Sequence, residues 1–326
     1  MGASASAGLR LGIVGATGVV GSQLLELIDE RALSCAELRL YGSEEHGGES
    51  IESGGVVRRV DVFSDSSELS DLDLVFLAVP RADAQAIAAR LSGPIAVDLS
   101  AASLAPSGTP FVAPGFTTRE QVRSLSRFKL FHIPHPAALA LATIINALGE
   151  IAFCAGTLML GASSQGHGAI SHLVEESADL LNGKLDLKEA ESQSAFNVAL
   201  AAGAPGLEQV LLAQVARLTG KASRIALQCV QVPVLHGTAL CLGLPNTAGI
   251  DQWAALLRAA PGIILVENEE PATVVDALEQ EALLLSLNVG AGGTSLWCVF
   301  DNARRAALAA LWIAECLVPD AAEKLN

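Results

Sequence analysis

Residues 9–30, LRLGIVGATGVVGSQLLELIDE, limit the fold more than any other stretch. Leu9–Val14 reads as a strand. Gln23–Glu30 has helical spacing, with Leu24, Leu25, Leu27 and Ile28 on one side. Between them lie Gly15, Thr17, Gly18, Val19, Val20 and Gly21. In a strand–turn–helix unit the first glycine permits the tight turn, the second lets backbone approach a pyrophosphate, and the third lets helix and strand pack closely. The helix N-terminus then presents unpaired N–H groups to the anion. Strand, GxxGxxG and helix in this order predict a dinucleotide-binding turn at the start of a parallel sheet. A turn kept for packing alone is the competing reading.

The alternation continues. Strands are predicted over 37–42, 56–63, 71–80, 94–100 and 129–134, with 56–63 at a sheet edge, and a helix over 82–91. Residues 101–118, rich in Ala, Ser, Pro and Gly, read as loop. Strands alternating with helices imply a sheet covered on both faces, a Rossmann-like doubly wound α/β fold. After residue 136 the pattern changes. Helices are predicted over 137–149, 169–182, 207–220, 251–262 and 303–318. Strands are predicted over 152–163, twice within 226–245 with a turn at His236-Gly237, in a short IILVE segment, and over 294–302. This half fits an α+β domain, an antiparallel or mixed sheet with helices on one side.

Charge and composition narrow the function classes. The 326 residues include 35 acidic and 20 basic side chains, a net charge of −15. Nucleic-acid binding needs clustered Lys and Arg to displace counterions. Here the basic residues are scattered, so no nucleic-acid partner is expected. Mean hydropathy is high, +0.44, yet no window reaches the uninterrupted apolar length of a membrane span. Met1–Arg10 has no basic region followed by an apolar core, so no signal peptide is expected. A cytoplasmic protein that does not associate with membranes is the expectation. Cys35, Cys154, Cys229, Cys241, Cys298 and Cys316 form no CxxC and no ligand cluster, and read as buried free thiols.

The end of the second strand bears on the cofactor. Residues 41–49 read YGSEEHGGE. Ser43, Glu44 and Glu45 fall near the place where an acidic side chain accepts bonds from a ribose 2′-OH. A 2′-phosphate would meet two carboxylates and no basic group, so NAD is favoured over NADP. Two solvated loop glutamates, with no cofactor, are the alternative.

GIVGATGVVGSQLLELIDER, AFNV (195–198), CVQVPVLHG (229–237), PGIILV (261–266) and LWCVFDNARRAAL (296–308) occur in order and at fitting intervals. Together they resemble the aspartate-semialdehyde dehydrogenase family across essentially the whole chain, and within it the Usg-type members that stand beside the active enzymes in bacteria. The resemblance implies a dinucleotide-binding domain over 1–134, with a C-terminal helix (303–326) packing back on it. It implies an α+β substrate and dimerisation domain over 135–302, and a homodimer. Active members reduce an acyl phosphate with NADPH through a cysteine thioester, in amino-acid biosynthesis. That chemistry needs a thiolate, a base and cationic clamps for phosphate and carboxylate.

The family's motifs are altered here at the positions that carry this chemistry. Its Asn-Pro-Asn-Cys-Ser/Thr turn resembles Ile133-Pro134-His135-Pro136-Ala137, with Pro136 at the cysteine position. Its Tyr-Gln-Ala-Val-Ser-Gly-Ala-Gly segment resembles residues 161–168, with Ala162 for the orienting glutamine. Its Arg-Val-Pro-Val-x-x-Gly-His resembles residues 231–238, with Gln231 for the substrate arginine and Thr238 for the histidine base. Its phosphate loop resembles residues 100–104, with Leu104 for arginine. Gly166, Gly168 and Asn302 match family positions close to the nicotinamide. No Lys or Arg occurs between Arg90 and Arg119, or between Arg258 and Arg304.

Four histidines, His132, His135, His167 and His236, lie near these positions. They lack metal-ligand spacing and read as structural, with a metal or acid–base role as the alternative. Two functions remain. One is a catalytically inactive homologue that keeps NAD(P) binding and dimerises, with itself or with another protein. The other is an active NAD(P)-dependent oxidoreductase of the semialdehyde dehydrogenase type with an altered substrate.

Overall fold

A computed structural model describes residues 8–100, 109–149, 151, 153–184, 193–201, 206–220, 224–245, 249–267, 270–290 and 293–318. The chain divides into two compact units. The first is Met1–His135 with Ala306–Asn326, the second Pro136–Arg305.

The first unit contains β1 (Leu9–Val14), α1 (Val19–Glu30), β2 (Cys35–Gly42), β3 (Ser50–Ser53), β4 (Val56–Val62), β5 (Leu74–Leu77), α2 (Arg81–Arg90), β6 (Ile95–Asp98), α3 (Arg119–Ser124) and β7 (Leu130–His132). Its sheet runs β3-β4-β2-β1-β5-β6-β7. All pairs from β4 to β7 are parallel, and β3 is antiparallel to β4. From β1 the chain builds outward through β2 to β4, then returns to the other side of β1 and builds outward through β5, β6 and β7. The order therefore reverses between β1 and β5. Both faces are covered, so Leu11, Ile13, Phe76, Val97 and Phe131 are fully buried, and the strands read as continuous apolar runs. The 56–63 segment is not the edge, because Ser50–Ser53 pairs outside it. Short, polar β3 gave no apolar alternation to detect.

The second unit contains α4 (Pro136–Leu148), β8 (Cys154–Leu160), α5 (His167–Leu181), β9 (Ala199–Leu200), α6 (Leu207–Thr219), β10 (Ile225–Gln231), β11 (Thr238–Leu244), α7 (Ile250–Ala259), β12 (Ile263–Leu265), β13 (Leu283–Gly290), β14 (Gly293–Phe300) and the start of α8 (Asn302–Leu317), whose later residues belong to the first unit. The sheet is mixed, in the order β12-β13-β14-β11-β8-β10-β9. The strands β10 and β11 do not pair with each other. Both flank β8, one parallel and one antiparallel. Helix α4 packs on α6 and α7. Leu158, Cys229, Leu240, Leu242, Leu296 and Cys298 are buried on the face these helices cover. Part of the opposite face presents small or polar residues, including Ala155, Thr157, Ala226, Gln228, Cys241 and Gly243 along a shallow depression, while Met159, Ala239, Trp297 and Val299 at its other end pack against Ala272, Val274 and Ala277. Cys241 is thus half-buried, unlike the buried Cys154. The strand expected to reach residue 163 stops at Leu160, where Ala162–Gln165 forms a 3-10 turn. The apolar stretch 283–290 is helix-like in composition, and pairing with β14 makes it a strand. Among the described residues, no helix is long and apolar enough to cross a membrane.

Helix α3 was absent from the periodic pattern because it is short. Its start is a capping box, in which Thr118 accepts from Gln121 N and the Gln121 side chain accepts from Thr118 N. It serves to hold the last helix. Arg123 Nε donates to Cys316 O at 2.9 Å, and Arg119 Nη1 to Glu315 O at 3.2 Å. These are carbonyls at the C-terminal end of α8, which have no intrahelical donor and favour a cation. Arg123→Ala is expected to lower stability by about 1–3 kcal/mol, read as a fall in the urea midpoint at unchanged slope. A neutral result would show that α8 is held by packing alone.

Candidate functional site

Gly15 ends β1 with φ +87°, and a Cβ there would lie 2.4 Å from Ala78 O. The amides of Gly15 and Ala16 both donate to Tyr41 O, at 2.9 and 3.0 Å, tying the turn to the end of β2. Gly18 N donates back to Gly15 O at 3.0 Å. A Cβ on Gly21 would fall 2.0 Å from Gly15 O, so glycine is what lets α1 start against β1. The N–H groups of Val19, Val20 and Gly21, in the first turn of α1, have no intrahelical acceptor. They open at the carboxyl edge of the sheet, where the strand order reverses and open α/β sheets take ligands. Thr17 shares this corner, for a Cβ on Gly42 would lie 3.7 Å from its Oγ1. Ser43, Glu44 and Glu45 follow Gly42 directly and are exposed. Backbone donors on one side and carboxylates on the other fit a pyrophosphate and a ribose diol respectively.

Other expected positions fall in the second unit. Pro136 is the first residue of α4 and is buried, a place where a missing N–H costs little. Burial lowers the neighbouring His135 to about 4, so its imidazole is neutral at physiological pH. The 3-10 turn lies along residues 234–237: Gly161 N donates to Gly237 O, Ala162 N to Val234 O and Ser163 N to Leu235 O. Gly166, at φ +96°, passes the chain into α5. Ser163 Oγ donates to Asn302 Oδ1 at 3.0 Å in a buried contact, linking this turn to Asn302. Ala162 and Gln231 border one cavity of about 300 Å³, together with Gln165, His172, Leu173 and Ser194. Gln165 Nε2 donates to Gln231 Oε1 at 2.8 Å. Thr238 begins β11 on the covered face, and its buried Oγ1 has no partner among the described residues. Leu104 lies outside the described residues. His167 and His236 are exposed, and no group of three metal-ligating side chains occurs among the described residues.

Burial raises every thiol whose titration is displaced. Cys154 and Cys316 move to about 11 and Cys298 to about 12. Cys229 also moves to about 12, chiefly by burial and further by Glu208. Cys35 is raised as well. None of these is a thiolate at neutral pH.

Several buried acidic groups were missed by sequence reasoning, among them Glu176 and Asp98. Glu176 on α5 accepts from Ser194 N and Ala195 N, at 2.9 and 2.8 Å, and fixes that segment beside the cavity. Its spacing from Leu173 and Leu180 puts it on the apolar stripe of the helix, which is the signal that was available. Asp98 closes the apolar run of β6. Its Oδ2 lies 2.9 Å from His132 Nδ1, and its Oδ1 accepts from Ser100 N at 2.8 Å. His132 therefore pairs across strands.

A model of the semialdehyde dehydrogenase NAD-binding domain matches residues 10–124. A USG-1 protein homolog from Pseudomonas aeruginosa is 33% identical, covering 95% of this chain and 98% of the relative. The chain belongs to the aspartate-semialdehyde dehydrogenase family. An aspartate-semialdehyde dehydrogenase from Aquifex aeolicus is 26% identical over 96% of this chain and 99% of its own. The structure of a probable aspartate-semialdehyde dehydrogenase from P. aeruginosa superposes with TM-score 0.80 at 29% identity, covering 96% of this chain and 99% of that one. The match to the NAD-binding domain spans the glycine turn, the acidic corner and the Asp98 strand. In this member of the family the second unit joins α4 to the first through Pro134, His135 and Pro136, with no thiol in that turn.

Burial opposes ionisation of Asp98, but its bonds to His132 and Ser100 outweigh that and leave its pKa below the ordinary carboxylate value. The stability this provides is present above the unfolded pKa of about 4 and is lost as pH falls through the lower folded value. Asp98→Asn is expected to be less stable than wild type at pH 7, with the gap closing below about pH 4. Urea unfolding across pH measures it, and a gap constant with pH would contradict the assignment.

Proposed function

We propose that this chain is a dinucleotide-binding member of the aspartate-semialdehyde dehydrogenase family without thioester chemistry. The observation that carries the reading is Pro136. It starts α4 where the family's motif has its nucleophile, and the displaced thiols elsewhere are all raised by burial. Three further substitutions point the same way. Ala162 and Gln231 supply neither the orienting amide nor the cationic clamp that the family motif has there, and Thr238 is no base. Pro136→Cys alone restores little, since the base and the clamp are also missing.

The glycine turn supports retained binding, and Glu44 and Glu45 support NAD over NADP. In this reading the amides of Val19, Val20 and Gly21 hold the pyrophosphate, and the acidic corner accepts from the ribose. The bound dinucleotide would supply hydride-transfer capacity; this chain's residues position it and provide no covalent step. A second reading, an NAD-linked oxidoreductase acting on another substrate, is favoured by the buried Ser163–Asn302 contact. It ties Asn302, which matches a family position near the nicotinamide, to Ser163, whose carbonyl accepts from the amide of Gly166, a second such position. The uncovered part of the second sheet's outer face supports a homodimer. A flat face of Ala155, Thr157, Ala226 and Gly243 suits close sheet packing, and Thr157→Arg is expected to give monomers by light scattering.

Calorimetric titration with NAD and NADP tests the cofactor reading. NAD is expected to bind, NADP more weakly, and Glu44→Gln with Glu45→Gln to narrow the difference. Binding of neither cofactor would overturn it. Aspartate semialdehyde with phosphate and NADP is expected to give no turnover, in the wild type or in Pro136→Cys; turnover by the wild type would overturn the inactive reading.

A further inference from the structure

We propose that the cavity between α5, residues 194–195 and the end of β10 binds a small uncharged ligand through a primary carboxamide. This rests on the reading that the chain does not process an acyl phosphate, and gives the same region of the second unit a ligand class.

The chemistry of the rim carries the proposal. Gln165 and Gln231 share one hydrogen bond of 2.8 Å, Nε2 to Oε1. A primary amide has two N–H donors and a carbonyl that accepts twice. The shared bond leaves the Gln165 carbonyl as an acceptor and the Gln231 amino group as a donor at the exposed rim of the cavity. Exchanging oxygen and nitrogen in both side chains reverses their roles and again leaves one acceptor and one donor. A primary carboxamide presents the complementary donor and acceptor on a single rigid group. A carboxylate or phosphate presents acceptors only, and would meet an unmatched carbonyl oxygen.

Charge favours the same class. Among the described residues that line the cavity there is no Lys or Arg. Glu176 is 7% exposed, accepts from the Ser194 amide, and has Oε2 4.0 Å from His172 Nε2. Ser194 and His172 both line the cavity, so a buried carboxylate stands beside it and disfavours an anion. Ala162 and Leu173 supply apolar wall for a short hydrocarbon stem. The volume of about 300 Å³ matches the lower end of small-molecule sites.

Saturation-transfer difference NMR on the full chain, with propionamide, propionate and acetyl phosphate as probes, tests this directly. Propionamide is expected to receive saturation and to bind roughly tenfold more tightly than propionate, with acetyl phosphate weaker still. Gln231→Leu and, separately, Gln165→Leu are expected to abolish the propionamide signal at an unchanged melting midpoint. Gln231→Arg, which adds a guanidinium at the same place, should reverse the order in favour of propionate. The proposal is overturned by equal or tighter binding of either anion, by no transfer to propionamide, or by full retention of binding in both leucine variants. Any of these, without turnover of aspartate semialdehyde, counts against the cavity assignment alone. Turnover itself would count against the reading beneath it.

Discussion

The approach of α1 to β1 at Gly21 sets the geometry on which the first unit depends. With a Cβ 2.0 Å from Gly15 O excluded, the helix begins almost against the strand it follows. Its first amides are then held at the carboxyl edge of the sheet, beside the end of β2. The two bonds from Gly15 and Ala16 to Tyr41 O fix the distance between the turn and the acidic corner. Donors and carboxylates are therefore placed together by backbone contacts, before any side chain chooses a rotamer. Under the proposed function, this is why the corner survives without the second unit's thioester chemistry.

The second unit keeps its frame by different means. Pro136 begins α4 with a fixed φ, and nearly every residue of that helix is buried against its neighbours. The turn at Ala162–Gln165 is held by backbone bonds to residues 234–237, and α5 leaves it through Gly166. These constraints act on backbone and packing. They do not depend on the side chains at Pro136, Ala162, Gln231 and Thr238 carrying catalytic groups. Under the proposed function, the scaffold and the thioester chemistry separate along this line.

Much of the fold was legible because apolar period and glycine position are local signals. The strand–glycine–helix start, α4 after Pro134-Pro136, and α6 closing on Gly220 could each be read from their own residues. Other features depend on distant partners. The pairing of β3 outside β4, the crossing of the chain from β10 over β8 to β11, and the strand state of 283–290 are decided by sheet neighbours far away in sequence. The site divides in the same way. Gly15, Gly18 and Gly21 announced themselves, whereas the Gln165–Gln231 pair and the Asp98–His132 pair join residues separated by 66 and 34 positions. Glu176 left a trace, an acid on an apolar stripe, that periodicity alone did not weigh.

Under the proposed function, no thiol of this chain forms an acyl enzyme. Intact-protein mass spectrometry after incubation with aspartate semialdehyde and NAD or NADP, with phosphate left out so that a thioester is not discharged, tests it without assuming turnover. The expected result is an unmodified mass, with all six cysteines alkylated by iodoacetamide after denaturation. A stoichiometric acyl adduct on any cysteine, sensitive to hydroxylamine, would contradict it.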